Sequence, residues 1–224
     1  MPDKVFVATL LADALFLASG AMQLGFSIAA LNLKDKAPAD GRDATRHILY
    51  QHFPLAAGIA NAALVLATFL FTVPALALAK RSLLKVSGYM ITLCAVFTLA
   101  VGLNLWIMTL RLKETFEPFY AAQDTAVQSM MQTSFQCCGY LNSTSPAFIT
   151  DEICPSPAAA ALLRGCATNV ASFANAFIND LFTAVFGMVG IDALLILAIA
   201  CLVKERKEME RYYIIDQKRD YGRL

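Results

Sequence analysis

FPLAAGIANAALVLATFLFTVPALALA, residues 53–79, holds no Asp, Glu, Lys or Arg in 27 positions. A helix of that length, rising about 1.5 Å per residue, passes through a hydrocarbon layer about 30 Å thick. Lipid offers the backbone no hydrogen-bond partners, so a continuous apolar run must close its own bonds as an α-helix. A barrel strand would be about ten residues long and would alternate. Pro54 stands in the first turn, where no intrahelical N–H is lost, and Pro74 falls near the end.

Three more charge-poor runs flank this one: residues 5–33, carrying Asp13 and Gln23, residues 83–111, and residues 177–203, carrying Asp192. The chain has 224 residues, 58% hydrophobic and 16% charged, with a mean hydropathy of +0.58. That is too apolar for soluble domains, and a net charge of +1 excludes a generally basic nucleic-acid binder. The first run continues well past Ala18-Ser19-Gly20, beyond the length of a signal-peptide core, so it reads as an uncleaved anchor.

The expected fold is an all-α membrane protein with four transmembrane helices and a small disulfide-stapled helical extracellular domain between helices 3 and 4. Its expected divisions are residues 1–33, N-terminus and first span; 34–52, a small outer loop; 53–79, second span; 80–82, a short inner loop; 83–111, third span. There follow 112–176, a large outer loop; 177–203, fourth span; and 204–224, a tail. Eleven Lys and Arg fall on the side of the termini, among them Lys80, Arg81 and Lys85, and seven, including Arg111, on the other. By the excess of cations, both termini are expected in the cytosol, in a plasma membrane or endomembrane.

The outer segments differ in capacity. Residues 34–52, with Pro38 and Gly41, read as a short polar loop, disordered or turn-rich at its tip and too short for a core. Residues 112–176 carry Cys137, Cys138, Cys154 and Cys166. A domain this small needs staples, and four clustered cysteines on an oxidising side read as two disulfides with three connectivities open. A zinc site is disfavoured: adjacent cysteines suit one tetrahedral ion poorly and this segment has no His. Asn142-Ser143-Thr144 is a glycosylation sequon. Residues 115–135 read as one helix and 156–163 as a short alanine-rich one, with residues 168–180 feeding the last span.

Four spans, a small then a large outer loop, a tiny basic inner link, and Cys137-Cys138-Gly139 followed by two later cysteines resemble a tetraspanin over the whole chain. More narrowly, residues 135–148 with Cys154-Pro155-Ser156-Pro157 and Arg164-Gly165-Cys166 resemble the filamentous-fungal tetraspanins needed for appressorium-mediated host penetration. The resemblance implies bonds from Cys137 to Cys166 and from Cys138 to Cys154, with Gly139 in a conformation that a side chain would oppose. It departs from the commoner animal pattern in having Ile153 before Cys154 and a very short variable segment.

Polar residues in the spans need partners. Asp13 and Asp192 fall at similar depths, about 14 Å and 17 Å from the inner face by helical rise, and could meet. Interhelical hydrogen bonding is the expected role, with Gln23, Asn61 and Asn104 as further links. The resemblance adds a sterol-binding cavity as an alternative for Asp13 and Asp192. Small residues in the first two spans, Gly20 among them, predict close helix approach, and Tyr50 and Trp106 read as interfacial anchors.

Cys201, three residues before Lys204, suits palmitoylation, whereas Cys94 reads as a buried small hydrophobe. Residues 212–215, Tyr-Tyr-Ile-Ile, fit a short sorting signal, and the tail reads as a solvated helix. His47 and His52 are expected in solvent, and no nucleophile or metal motif appears, so no enzyme, cofactor or metal is expected. The expected function is a non-catalytic organiser that associates laterally with membrane lipids, sterol among them, and with other integral membrane proteins, itself included, in polarised growth or host penetration. A four-span channel or transporter, or a sterol-binding membrane protein, is the alternative.

Overall fold

A computed structural model of the protein describes residues 2–78, 80–110 and 112–221. Arg111 and Arg223 of the cation count, and Ala79 at the end of the second expected span, lie outside the described residues. Among these residues eight helices follow in order: α1 Pro2–Leu33, α2 Gly41–His52, α3 Leu55–Ala77, α4 Arg81–Leu110, α5 Leu112–Ala121, α6 Thr125–Phe135, α7 Pro157–Leu162 and α8 Ala167–Tyr221.

Four of them are long and apolar enough to cross a membrane: Lys4–Leu33, Leu55–Ala77, Arg81–Leu110 and Ala167–Arg219. Large apolar side chains on these helices point away from the protein, as at Leu11, 64% exposed, and Leu70, 72% exposed. Water would penalise each such surface at roughly 25 cal/mol per Å², whereas hydrocarbon accepts it. The protein is therefore a multi-pass helical membrane protein in class.

The chain divides into two compact units. The first takes in the described residues of Met1–Gly25, Ala56–Val101 and Val185–Leu224. Its core is a continuous apolar cluster built around Phe16, Val65, Leu84, Ile91, Leu195 and Ile199. Gly20 lets α1 approach α3 closely: a Cβ there would meet Val65 Cγ1 at 2.5 Å. Polar links lie inside this apolar packing. Asn61 donates from Nδ2 to Gln23 Oε1 at 3.0 Å and to Thr98 Oγ1 at 2.9 Å. Each such link contributes about 0.6 kcal/mol in a bilayer and fixes rotation more than it adds stability.

The second unit comprises Phe26–Leu55 and Gly102–Ala184. Two expectations are corrected here. Residues 34–52 are not all turn: Asp40 caps α2 by accepting the Asp43 N–H at 2.7 Å, and Ala44, Thr45, Ile48 and Leu49 form a buried stripe. Helix α2 packs on α6. Gly41 makes that contact, for a Cβ there would strike the Met130 carbonyl, and its N–H donates to Ser134 Oγ at 2.9 Å. Residues 115–135 are not one helix either. The chain turns between α5 and α6, where Gln128 Nε2 donates to the carbonyls of Tyr120 at 3.2 Å and Gln123 at 2.9 Å. One side-chain amide thus takes over carbonyls that a continuous helix would have used.

Candidate functional site

The stapled loop is built from residues 132–166. Helix α6 ends with Gln136 in a left-handed conformation, φ 52°, and its N–H closes on Gln132 O. Cys137 and Cys138 follow at once. Cys137 is bonded to Cys166, with Cα atoms 5.0 Å apart, and Cys138 to Cys154, 5.9 Å apart; all four are fully buried. Gly139 has φ +71°, and a Cβ on it would overlap the carbonyl of Asn142 and come within 2.9 Å of the carbonyl of Pro146.

Gln132, which the sequence does not single out, is the polar centre of this loop. It is fully buried. Its Oε1 accepts the N–H of Gly139 at 3.2 Å and of Ile149 at 3.0 Å. Its Nε2 donates to the carbonyl of Ile149 at 2.8 Å and to Asp151 Oδ2 at 2.7 Å. The other oxygen of Asp151 accepts the N–H groups of Ile153 at 2.9 Å and Cys154 at 2.7 Å. Two side chains therefore hold the backbone that presents Cys154 to Cys138. A satisfied buried network of this kind specifies one conformation.

Tyr120 and Tyr140 lie against each other, ring centroids 5.1 Å apart, and both are fully buried. Burial, and secondarily the charge of Asp151, push the Tyr120 phenol up to about 12; burial, then Glu117 and Tyr120, raises Tyr140 as well. A phenol raised above its unfolded value of about 10 favours the folded state fully below that value, and the advantage is lost as pH climbs toward 12. In an alkaline titration of the full chain in detergent, Tyr120 and Tyr140, with Tyr50, whose phenol burial also raises, should ionise late and with loss of near-ultraviolet dichroism. All tyrosines ionising near pH 10 with the dichroism intact would refute this.

The sequon is exposed. Asn142 Oδ1 accepts both the N–H and the hydroxyl of Thr144, at 2.9 Å and 2.8 Å, which leaves the Asn142 amide nitrogen facing outward in a tight turn. Leu162 at the end of α7 is 88% exposed.

The span acids have different hydrogen-bond partners. Asp13 is buried in the first unit with Thr72 Oγ1 at 2.9 Å and 3.0 Å from its two oxygens. It also lines a cavity of about 350 Å³ walled by Phe6, Leu10, Leu17, Phe69 and Val73. Asp192 is buried beside Thr98, its Oδ2 without a hydrogen-bond partner among the described residues. Asn104 is no interhelical link: it is exposed and borders an apolar cleft of about 210 Å³ with His52, Phe116 and Phe119.

One histidine differs from expectation and the other, His52, is exposed as expected. His47 is only 6% exposed and lies 3.4 Å from Asp43, while His52 stacks on Phe119 with centroids 3.5 Å apart. Tyr50 is buried edge-on against Phe26, Phe53 and Phe177, whereas Trp106 is 46% exposed. Cys94 is buried near Thr68 and Cys201 is exposed. Among the described residues no group of His, Cys, Asp and Glu is placed to hold a metal ion.

No protein-family model, curated protein or solved structure matches the chain. Its class therefore stands on its own features: four membrane-crossing helices and a loop unit closed by two disulfides.

Proposed function

We propose that the protein is a non-catalytic membrane organiser of the tetraspanin type, which associates laterally with other integral membrane proteins and lipids. The observation that carries this reading is the doubly stapled Cys137-Cys138-Gly139 loop between the third and fourth apolar helices. The loop unit is stapled at its base and carries α7, whose Leu162 is exposed, a form suited to contacting a neighbour and not to turning over a substrate. In this reading the loop faces outward, both termini lie in the cytosol, Asn142 carries a glycan and Cys201 is acylated. The setting is polarised growth or host penetration by a filamentous fungus.

The test is peptide mapping of the full chain without reduction, with and without glycosidase, joined to capture of neighbours in mild detergent. A glycan on Asn142, disulfide-linked loop peptides and co-isolated integral membrane proteins are the expected result. An unmodified Asn142 with free loop thiols would place the loop in the cytosol and remove the reading. Ion or solute flux from vesicles holding the purified chain would favour a channel or transporter instead.

Sterol binding is a second reading, favoured by the apolar cavity into which Asp13 is set. Its test is labelling by a photoactivatable sterol, which Asp13→Leu should reduce. Labelling unchanged in Asp13→Leu and Asp192→Leu together would end it.

A further inference from the structure

Where α3 ends and the charged part of α8 begins, the first unit holds a second cavity, about 660 Å³, bordered by Lys80, Arg81, Arg206, Met209, Glu210 and Tyr213. Arg206 fixes this wall. Its guanidinium donates to the carbonyls of Leu78 at 2.8 Å and Leu76 at 2.7 Å, the last turn of α3, with Ala75 at 3.3 Å. These acceptors are uncharged, so the cation is held in place without being neutralised.

Arg81 is the more telling residue. Its Nη1 is 3.7 Å from Glu210 Oε2, too long for a hydrogen bond. Its Nε is buried with no hydrogen-bond partner among the described residues. A buried donor on a cation left unpaired is costly, and a guanidinium fork of this kind matches two oxygens of a phosphate. With Lys80 exposed beside it, three cations face one acid.

We propose that this cavity binds the phosphate-bearing headgroup of an anionic membrane lipid. Arg81 takes the phosphate through its Nη atoms, Lys80 adds a point charge, and Arg206 holds the wall and the field. The depth argues for a lipid and not a free phosphate. The cavity lies where the apolar run of α3 stops and Lys204 opens the charged run of α8, the level at which headgroups sit. Ala77 and Met209 supply apolar wall for the glycerol end. The proposal rests on the four-span class alone and not on the family resemblance.

The experiment titrates the purified full chain in neutral detergent with dioctanoyl phosphatidylinositol 4-phosphate, read by native mass spectrometry. Inositol 1,4-bisphosphate, the soluble headgroup, forms a parallel arm. The lipid should bind saturably, and Arg81→Gln or Lys80→Gln should each weaken it about five-fold. Lys218→Gln, the same charge loss at the far end of α8, should leave it unchanged. Glu210→Gln should tighten binding, because it removes the competing acid; a purely structural Arg81–Glu210 clamp would give no gain. Equal weakening by Lys218→Gln, loss of binding in Glu210→Gln, or equal affinity for the soluble headgroup would each overturn the proposal.

Discussion

Gln132→Leu should release the stapled loop from its own backbone. The substitution fits the volume but strands the N–H groups of Gly139 and Ile149, the Ile149 carbonyl and one oxygen of Asp151 in a buried place. Each stranded group costs about 1–3 kcal/mol where water cannot reach it, so a net loss of roughly 3–5 kcal/mol in local stability is expected after relaxation. Hydrogen exchange of the full chain in detergent reads this directly, since about 1.4 kcal/mol is a tenfold change in opening. Amides of Gly139, Ile149 and Cys154 should lose at least a hundredfold in protection, while those of the apolar core around Phe16 and Ile91 keep theirs. Gln132→Glu should not rescue the site, because it removes the donor and sets a carboxyl against Asp151. Unchanged protection at Ile149 in Gln132→Leu would show that the disulfides alone hold the loop.

Gly139→Ala should be nearly as severe, by a different route. A single methyl group would overlap the Asn142 carbonyl, which is backbone and cannot rotate away, and φ +71° opposes any side chain. The left-handed conformation alone costs about 1–2 kcal/mol, and the overlap adds to it. Because Gly139 directly follows the paired cysteines, the strain falls on the choice of partner. Non-reducing peptide maps should show mispaired or free Cys137, Cys138, Cys154 and Cys166. Gln136 offers the opposite sign: it holds φ 52° with a side chain, so Gln136→Gly should stabilise the loop by about 1 kcal/mol or less. A clean wild-type map for Gly139→Ala would mean that the turn relaxes freely.

The four long helices were legible because hydrocarbon imposes a coarse rule, the absence of charge over some twenty residues, that no local detail can blur. The cysteine cluster was legible for a similar reason, since four cysteines crowded into a small loop without a histidine suit disulfides better than a metal. Gln132 was not, because a glutamine in a mixed helix reads as surface. The signal was its company: Gln128, Met131, Gln132 and Phe135 lie on one helical stripe, and two glutamines four apart beside Met131 point inward together. Helix α2 was hidden by Pro38 and Gly41, although Asp40 followed by Asp43 and the stripe from Ala44 to Leu49 carry a cap and a period. Asn104 misled for the reverse reason, since a polar residue in a span suggests a protein partner even where it meets the outside.

The two disulfides begin at neighbouring residues and end sixteen and twenty-nine positions away, so their rings are nested and neither threads the other. The stretch between Cys154 and Cys166, which includes α7, leaves from one fixed point and returns to another one residue along the chain from it. It works as an exchangeable cassette: its ends are clamped at a constant spacing whatever lies between them. A foreign peptide written into residues 157–162 that keeps a small apolar residue at the buried Ala160, which packs against Cys138 and Cys154, would be displayed on the same frame, and the exposed face of the loop could change without the polar centre at Gln132 having to change with it.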